Sequence, residues 1–233
     1  FKGVCQMVEN LSEKVKPTQR LEKSYYPTEY LFRVLIIQRH ILAPLAKTPI
    51  TPNQITYISI AFGLFSYIAV YYEALVLAGF LYLFCNFIDH IDGMFARYIN
   101  SSSEFGKKLD MYGDAFATNF IFIIYAISYP QSLLPCFLVL VAMNTHSLVC
   151  PLYIVKNIKK ITANGGVFKR FGLKKWFLDR GFLLGIDASF LGIVVSLGLI
   201  FNIFELACYI LAFAYSFDML YRINELKRNL KKT

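Results

Sequence analysis

Six long apolar stretches follow one another along this chain, separated by short polar or charged connections. They cover residues 54–72, 74–97, 109–128, 132–154, 181–201 and 203–222. A helix needs about 20 residues to cross the hydrocarbon core of a bilayer, and each stretch is close to that length. The pattern therefore predicts an all-α, polytopic membrane protein with six transmembrane helices.

A further helix is predicted before the first span, within residues 28–50. Its apolar positions alternate with Arg33, Gln38, Arg39 and His40, which are too many polar groups for a comfortable span. We expect this amphipathic helix to lie in the membrane interface, with its apolar side in lipid.

Composition and charge support the membrane assignment and orient it. The chain is 57% hydrophobic, with a mean hydropathy of +0.50 and a net charge of +9. The turns near Glu73, Pro130 and Asn202 carry no Lys or Arg, so all 24 basic residues belong to the other side of the membrane. The positive-inside rule then places both termini and the loop after residue 97 in the cytoplasm. The positive charge indicates contact with anionic lipid headgroups, and nucleic acid is not expected as a partner.

These patterns divide the chain into four parts. We predict a polar cytoplasmic leader at 1–27, the interfacial helix at 28–50, a six-helix membrane domain at 51–222 and a basic cytoplasmic tail at 223–233. The protein is expected in the cytoplasmic (inner) membrane, with little length left for a second folded domain.

Four carboxylates within 26 residues carry the chemistry of the sequence. Asp89 and Asp92 are three residues apart, and Asp110 and Asp114 are four apart, so on helices each pair shares a face. Neighbouring antiparallel helices would bring all four together. Carboxylates in a membrane are costly and are functional candidates by default. Such a set of hard oxygen ligands suits Mg²⁺, Mn²⁺ or Ca²⁺ better than zinc. A structural ion-pair cluster or a cation or proton pathway is the alternative.

The spacing of these residues resembles the CDP-alcohol phosphotransferase family. The family pattern is D-x-x-D-G-x-x-A-R, eight residues, G, three residues, D, three residues, D. All eight fixed positions are met here, by Asp89, Asp92, Gly93, Ala96, Arg97, Gly106, Asp110 and Asp114.

The resemblance implies a reaction and a set of metal ligands. Family members transfer the substituted phosphate of a CDP-linked alcohol to the hydroxyl of a second alcohol and release CMP. By position, Asp89, Asp92, Asp110 and Asp114 would hold two Mg²⁺ or Mn²⁺ ions, and Asp114 would also act as the general base. No organic cofactor is implied.

The resemblance also implies a nucleotide site. A similar Pro-Asn-x-(Ile/Val)-Thr stretch lines it in the family and corresponds here to residues 52–56. An ordinary capped helix start is the alternative for this stretch. The expected nucleotide-binding residues are Asn53, Thr56, Gly93, Ala96, Arg97 and Gly106.

The acceptor site is less defined. Family members with phosphorylated acceptors place cations on the fifth span, whereas this chain has no Lys or Arg there after Arg180. Asp187, expected about two turns inside the membrane, suggests that the acceptor is neutral or carries an amine. The candidate acceptor residues are Asp187, Ser189, Asn144, His146, Lys159 and Arg180. For Asn144 and His146 a polar contact between helices is an equal alternative, and most of the basic loop 155–180 is expected to be solvated.

Several functional alternatives stay open. Intramembrane prenyltransferases also use Asp-rich metal sites, but they lack the Gly-x-x-Ala-Arg positions. A cation or proton transporter would place its acids at the midplane rather than at one face. Within the family, a CDP-diacylglycerol-like donor and a phospholipid product are favoured over a soluble CDP-alcohol or CDP-polyol donor. The family also suggests a homodimer.

Overall fold

A computed structural model of the chain describes residues 26–101 and 103–230. Within these ranges the chain forms eight helices and no strands, which confirms the all-α class. Helix α1 joins Pro27–Glu29, a wide π-type segment Tyr30–Ile41 and Leu42–Leu45. The next helices are α2 (Pro52–Tyr71), α3 (Leu75–Tyr98) and α4 (Glu104–Ser128). Helix α5 (Leu133–Val149) continues through Cys150–Val155 and Lys156–Ala163, and α6 (Gly172–Leu178), α7 (Ala188–Ile200) and α8 (Phe204–Leu230) complete the chain.

The N-terminal end of α2 follows from its sequence. The hydroxyl of Thr51 accepts the N–H of Gln54, whose side chain in turn accepts the N–H of Thr51 at 2.8 Å. Pro52 then occupies the first turn, where its missing N–H costs nothing. This start fixes where Asn53 and Thr56 stand on the helix.

The helices pack as one bundle in which α3 lies between α2 and α7, and α8 lies against α5. Its centre is filled by fully buried apolar side chains such as Val70, Phe122, Val139, Leu199 and Leu211. Large apolar residues such as Phe65, Phe137 and Phe213 are exposed on the outside. An apolar exterior around an apolar core is the surface of a protein that lies in lipid.

In the described part of the chain, five helices are long and apolar enough to cross a membrane: α2, α3, α4, α5 with its extension, and α8. The span predicted at 181–201 is instead the 13-residue helix α7, which begins only after Asp187. Asp187 has an extended backbone and accepts the N–H of Phe190 at 3.3 Å. Asp187, predicted to lie within a span that begins at residue 181, is therefore the N-terminal cap of α7, which corrects that boundary.

One further helix ends at a different residue from the sequence-based boundary. Helix α8 continues past residue 222 to Leu230, and Glu225 and Asn229 are 3% and 6% exposed. The segment after residue 222 therefore packs against the protein as far as residue 230. The predicted leader at 1–27 lies outside the described residues except for its last two positions.

Candidate active site

The four aspartates of the motif come together where the end of α3 meets the start of α4. Carboxylate oxygens of Asp89, Asp92 and Asp110 all lie within 4.8 Å of one another. Asp114 lies beside Asp89 in the wall of one cavity. Carboxyl groups this close need a shared proton or a cation to relieve their repulsion.

The cluster is supported from α2 and from its own backbone. The hydroxyl of Thr56 and the N–H of Gly93 each donate to a different oxygen of Asp92. Asp92 is 3% exposed, so these donors fix its orientation away from solvent. An oriented set of carboxylate oxygens without nitrogen or sulfur ligands fits a hard divalent cation.

A first cavity, cavity A, lies beside the cluster between α2, α3 and α4. It has a volume of about 310 Å³. Asp92 and Asp110 form part of its wall. All six predicted nucleotide-binding residues also line it: Asn53, Thr56, Gly93, Ala96, Arg97 and Gly106.

The two glycines of cavity A serve different purposes. A Cβ on Gly106 would lie 2.8 Å from Oδ1 of Asn53, so glycine permits the close approach of α2 to α4. A Cβ on Gly93 would meet only the Arg97 guanidinium, at an ordinary 3.5 Å. Gly93 therefore keeps space open in the cavity, and the Arg97 side chain lies over it.

A second cavity, cavity B, lies on the other side of the cluster. It has a volume of about 330 Å³ and is bounded by Asp89 and Asp114. Asn86, His146 and Asp187 also line it, and Thr56 is common to both cavities. The carboxylate cluster thus stands between two compartments that could each hold one substrate.

The candidate acceptor residues occupy different places. Asp187 and His146 line cavity B. Ser189 is fully buried and bonded to His90 at 2.7 Å. Asn144 donates to Asn119 across α4 and α5 at 2.8 Å, and this is the polar contact between helices that the sequence left open. Lys159 is exposed and is not among the residues that line either cavity.

Arg180 also lies apart from the two cavities. Its guanidinium stacks on the Trp176 ring at 3.7 Å. It donates to the Trp176 carbonyl at 3.0 Å, so its partners are local to α6.

A buried ionic network supports the wall of cavity B. Asp218 of α8 accepts hydrogen bonds from Lys174 and Arg222, each at 2.6 Å, and its other contact is His146 at 2.9 Å. Burial lowers the pKa of Lys174, and its hydrogen bond to Asp218 acts in the opposite direction. His146 is thus a member of this network as well as a residue of the cavity wall.

Side chains of α8 bind the middle of the basic loop, residues 155–180. Glu225 accepts a hydrogen bond from Arg170 at 2.9 Å and from the Phe171 N–H at 3.1 Å. Asn229 exchanges hydrogen bonds with the backbone of Lys169. Arg170 and Lys174 are therefore exceptions to the expected solvated loop, because carboxylates on α8 compensate their charges.

Two residues of this region were not singled out from the sequence. Asn86 precedes Asp89 by three residues and so shares its helix face, a spacing that could have indicated it. Asp218 is a carboxylate in an otherwise apolar span, which is itself a signal of function or pairing.

The fold and site define an integral membrane protein with a cluster of carboxylates, suited to a divalent cation, between two cavities. The chain belongs to the CDP-alcohol phosphatidyltransferase family, whose model matches residues 49–217. It is therefore a transferase of a family that uses divalent metal ions, and the aspartate cluster is where such ions fit.

Two relatives illustrate the membership. A bifunctional IPC transferase and DIPP synthase of Archaeoglobus fulgidus is 36% identical over 83 residues, which are 36% of this chain and 17% of that protein. A CDP-diacylglycerol–glycerol-3-phosphate 3-phosphatidyltransferase of Aquifex aeolicus is 29% identical over 130 residues, or 54% of this chain and 70% of that protein. The match thus spans about a sixth of the first relative's length.

Proposed function

We propose that this protein transfers a substituted phosphate from a CDP-linked lipid to the hydroxyl of a small alcohol and releases CMP. The observation that carries the proposal is the position of the aspartate cluster between cavities A and B. Cavity A would hold the cytidine diphosphate part of the donor, and cavity B would hold the acceptor alcohol.

The proposed reaction is a single displacement at phosphorus. The acceptor oxygen attacks the phosphorus that carries the lipid, a new P–O bond forms, and the bond to CMP breaks. Asp114 lines the acceptor cavity and would take the hydroxyl proton as the attack develops. Arg97 lines the donor cavity and would hold a phosphate oxygen there.

Two Mg²⁺ or Mn²⁺ ions held by Asp89, Asp92, Asp110 and Asp114 would neutralise the pyrophosphate and the leaving CMP. The fit rests on the oxygen-only donor set and on its separation of at most 4.8 Å among the first three residues. Thr56 and the Gly93 N–H would keep Asp92 oriented for this purpose.

The donor is proposed to be CDP-diacylglycerol or a similar lipid. The Aquifex relative is named for that donor, and the five long apolar helices of the described residues support a donor that lies in the membrane. A soluble CDP-alcohol or CDP-polyol is the second candidate. We further propose that both termini and the active site face the cytoplasm, on the distribution of Lys and Arg.

The test is metal-dependent CMP release by purified protein in detergent. The assay offers Mg²⁺ or Mn²⁺ with CDP-diacylglycerol and a panel of alcohols. Release with one acceptor is expected, and Asp114→Asn is expected to reduce it by roughly 10²-fold to 10⁴-fold.

Three other outcomes would change the proposal. Release only with soluble CDP-alcohols would move the donor to the second candidate. Pyrophosphate as product would indicate prenyl transfer, and ion flux in liposomes without nucleotide would indicate a transporter.

A further inference from the structure

Two residues that line cavity B each carry a buried oxygen atom without a hydrogen-bond partner among the described residues. Oδ1 of Asn86 and Oδ2 of Asp187 are shielded from solvent and accept no hydrogen bond. Both residues line cavity B. Leaving a buried acceptor without a donor is unfavourable, and two such atoms on residues of one cavity point to a ligand that supplies the donors.

The orientations of both groups follow from their other contacts. The amide nitrogen of Asn86 donates to the Ala188 carbonyl at 3.1 Å, which leaves the amide oxygen as the unpartnered atom. Oδ1 of Asp187 receives the Thr28 hydroxyl at 2.6 Å and the Phe190 N–H at 3.3 Å. The Asn86 amide contacts the backbone of Ala188, the residue that follows Asp187, so Asn86 and Asp187 are neighbours at one end of cavity B.

The charge at this end is also uncompensated. Both donors to Asp187 are neutral groups. Among the described residues no Lys or Arg forms an ion pair with Asp187, and none lines cavity B. His146, the histidine of the wall, is already in contact with Asp218 at 2.9 Å. A phosphorylated acceptor would place its phosphate beside the Asp187 carboxylate, where no basic side chain of the described residues offsets the repulsion.

We infer that cavity B binds an alcohol that carries a protonated amine, and that Asn86 and Asp187 select it. The ammonium group donates to the two free oxygens and supplies the missing positive charge. The hydroxyl of the same molecule is then directed toward Asp89 and Asp114, which also line cavity B. This inference rests on the proposed function, because it names the acceptor class of the same site.

The test measures binding directly, so that it does not depend on the donor. Full-length protein in lipid nanodiscs with Mg²⁺ is titrated by calorimetry with ethanolamine, L-serine, glycerol, inositol and glycerol phosphate. Ethanolamine is expected to bind at least tenfold tighter than the neutral and phosphorylated alcohols. L-Serine shows whether an added carboxylate is accepted beside the amine.

Substitutions assign the selection to residues. Asp187→Asn and Asn86→Leu are each expected to weaken ethanolamine binding roughly tenfold to hundredfold, as expected for a hydrogen bond to a charged group. Ser196→Ala is the matched control, since Ser196 also has an unpartnered buried oxygen but lines neither cavity. It is expected to leave binding unchanged.

CDP titration of the same samples separates the two proposals. If CDP binds but glycerol, inositol or glycerol phosphate binds as tightly as ethanolamine, the acceptor inference is overturned and the proposed function stands. Unchanged ethanolamine binding in the folded Asn86→Leu protein would overturn it as well. Failure to bind CDP at all would instead remove the proposed function.

Discussion

Thr56 contacts the aspartate cluster and both cavities. Its hydroxyl donates to Asp92, and its side chain lines both cavities. It is 5% exposed, so no water replaces that donor if it is removed.

Thr56→Val keeps the shape of the side chain but removes the hydroxyl. We expect the Mg²⁺ concentration for half-maximal activity to rise roughly tenfold, as for loss of a partner that orients a metal ligand. Ser66→Ala is the control, because it removes a buried hydroxyl that bonds the Ala78 carbonyl far from the carboxylates. An equal rise in both variants would show a general loss of stability rather than an effect on Asp92.

Gly93→Ala tests whether cavity A holds the nucleotide. The added methyl group has only an ordinary contact with Arg97, so the melting temperature is expected to stay within a few degrees of the unmodified protein. CDP affinity is expected to fall about tenfold because the methyl group occupies space in the cavity. Unchanged CDP affinity in a folded variant would place the nucleotide elsewhere.

The residues of the motif could be predicted because their types and spacing are present in the sequence itself. Asn86 could not be predicted in the same way. Its importance comes from one amide oxygen left without a donor, and that depends on the Ala188 carbonyl of another helix. Long-range partners of single atoms are set by packing, which local sequence patterns do not contain.

At the scale of elements, α8 holds the basic loop next to cavity B. Asp218, Glu225 and Asn229 lie one or two turns apart on this helix and bind three consecutive parts of the loop. The sequence indicated a solvated loop because its own residues are basic. The compensating acids lie about 50 residues later in the chain, so the pairing became visible only in the fold.

Asp218→Ala leaves Lys174 and Arg222 without their buried partner. Loss of one side of a buried ion pair costs about 3–5 kcal/mol, and we expect a decrease of that size in the free energy of unfolding, measured by denaturant titration in micelles. Glu104→Gln is the control. Its ion pair with Lys107 is exposed, so its removal is expected to leave stability nearly unchanged.

Helix α7 shows how polar residues shift an element boundary. Hydropathy predicted a full span from residue 181, because Phe182, Leu183 and Leu184 are apolar. The side chain of Asp187 instead caps the helix at Ala188. This shift of boundary is also what turns Asp187 from a carboxylate inside a helix into a residue of the cavity wall.

At the scale of the whole molecule, the all-helical membrane architecture followed from the lengths and spacing of the apolar stretches alone. The ends of α2, α3 and α4 lie within a few residues of the predicted spans. The orientation of the bundle and the homodimer stay predictions.

Orientation can be measured with single cysteines in a protein whose five natural cysteines have been replaced. Gln131 lies on an exposed turn without Lys or Arg, and Asn164 lies on the exposed basic loop. The two variants to compare are Gln131→Cys and Asn164→Cys. In intact cells, a membrane-impermeant maleimide is expected to label Gln131→Cys and to label Asn164→Cys only after the cells are opened. The reverse pattern would overturn the cytoplasmic assignment of the active site.

The arrangement of cavities A and B has a consequence for the order of events. Two compartments that meet at one carboxylate cluster can be filled at the same time, so under the proposed function donor and acceptor would form a ternary complex before any bond changes. Initial velocities measured against donor at several fixed acceptor concentrations are expected to give intersecting double-reciprocal lines. Parallel lines would instead indicate a covalent enzyme intermediate. In the arrangement described here, no side chain has to carry the phosphate from one substrate to the other.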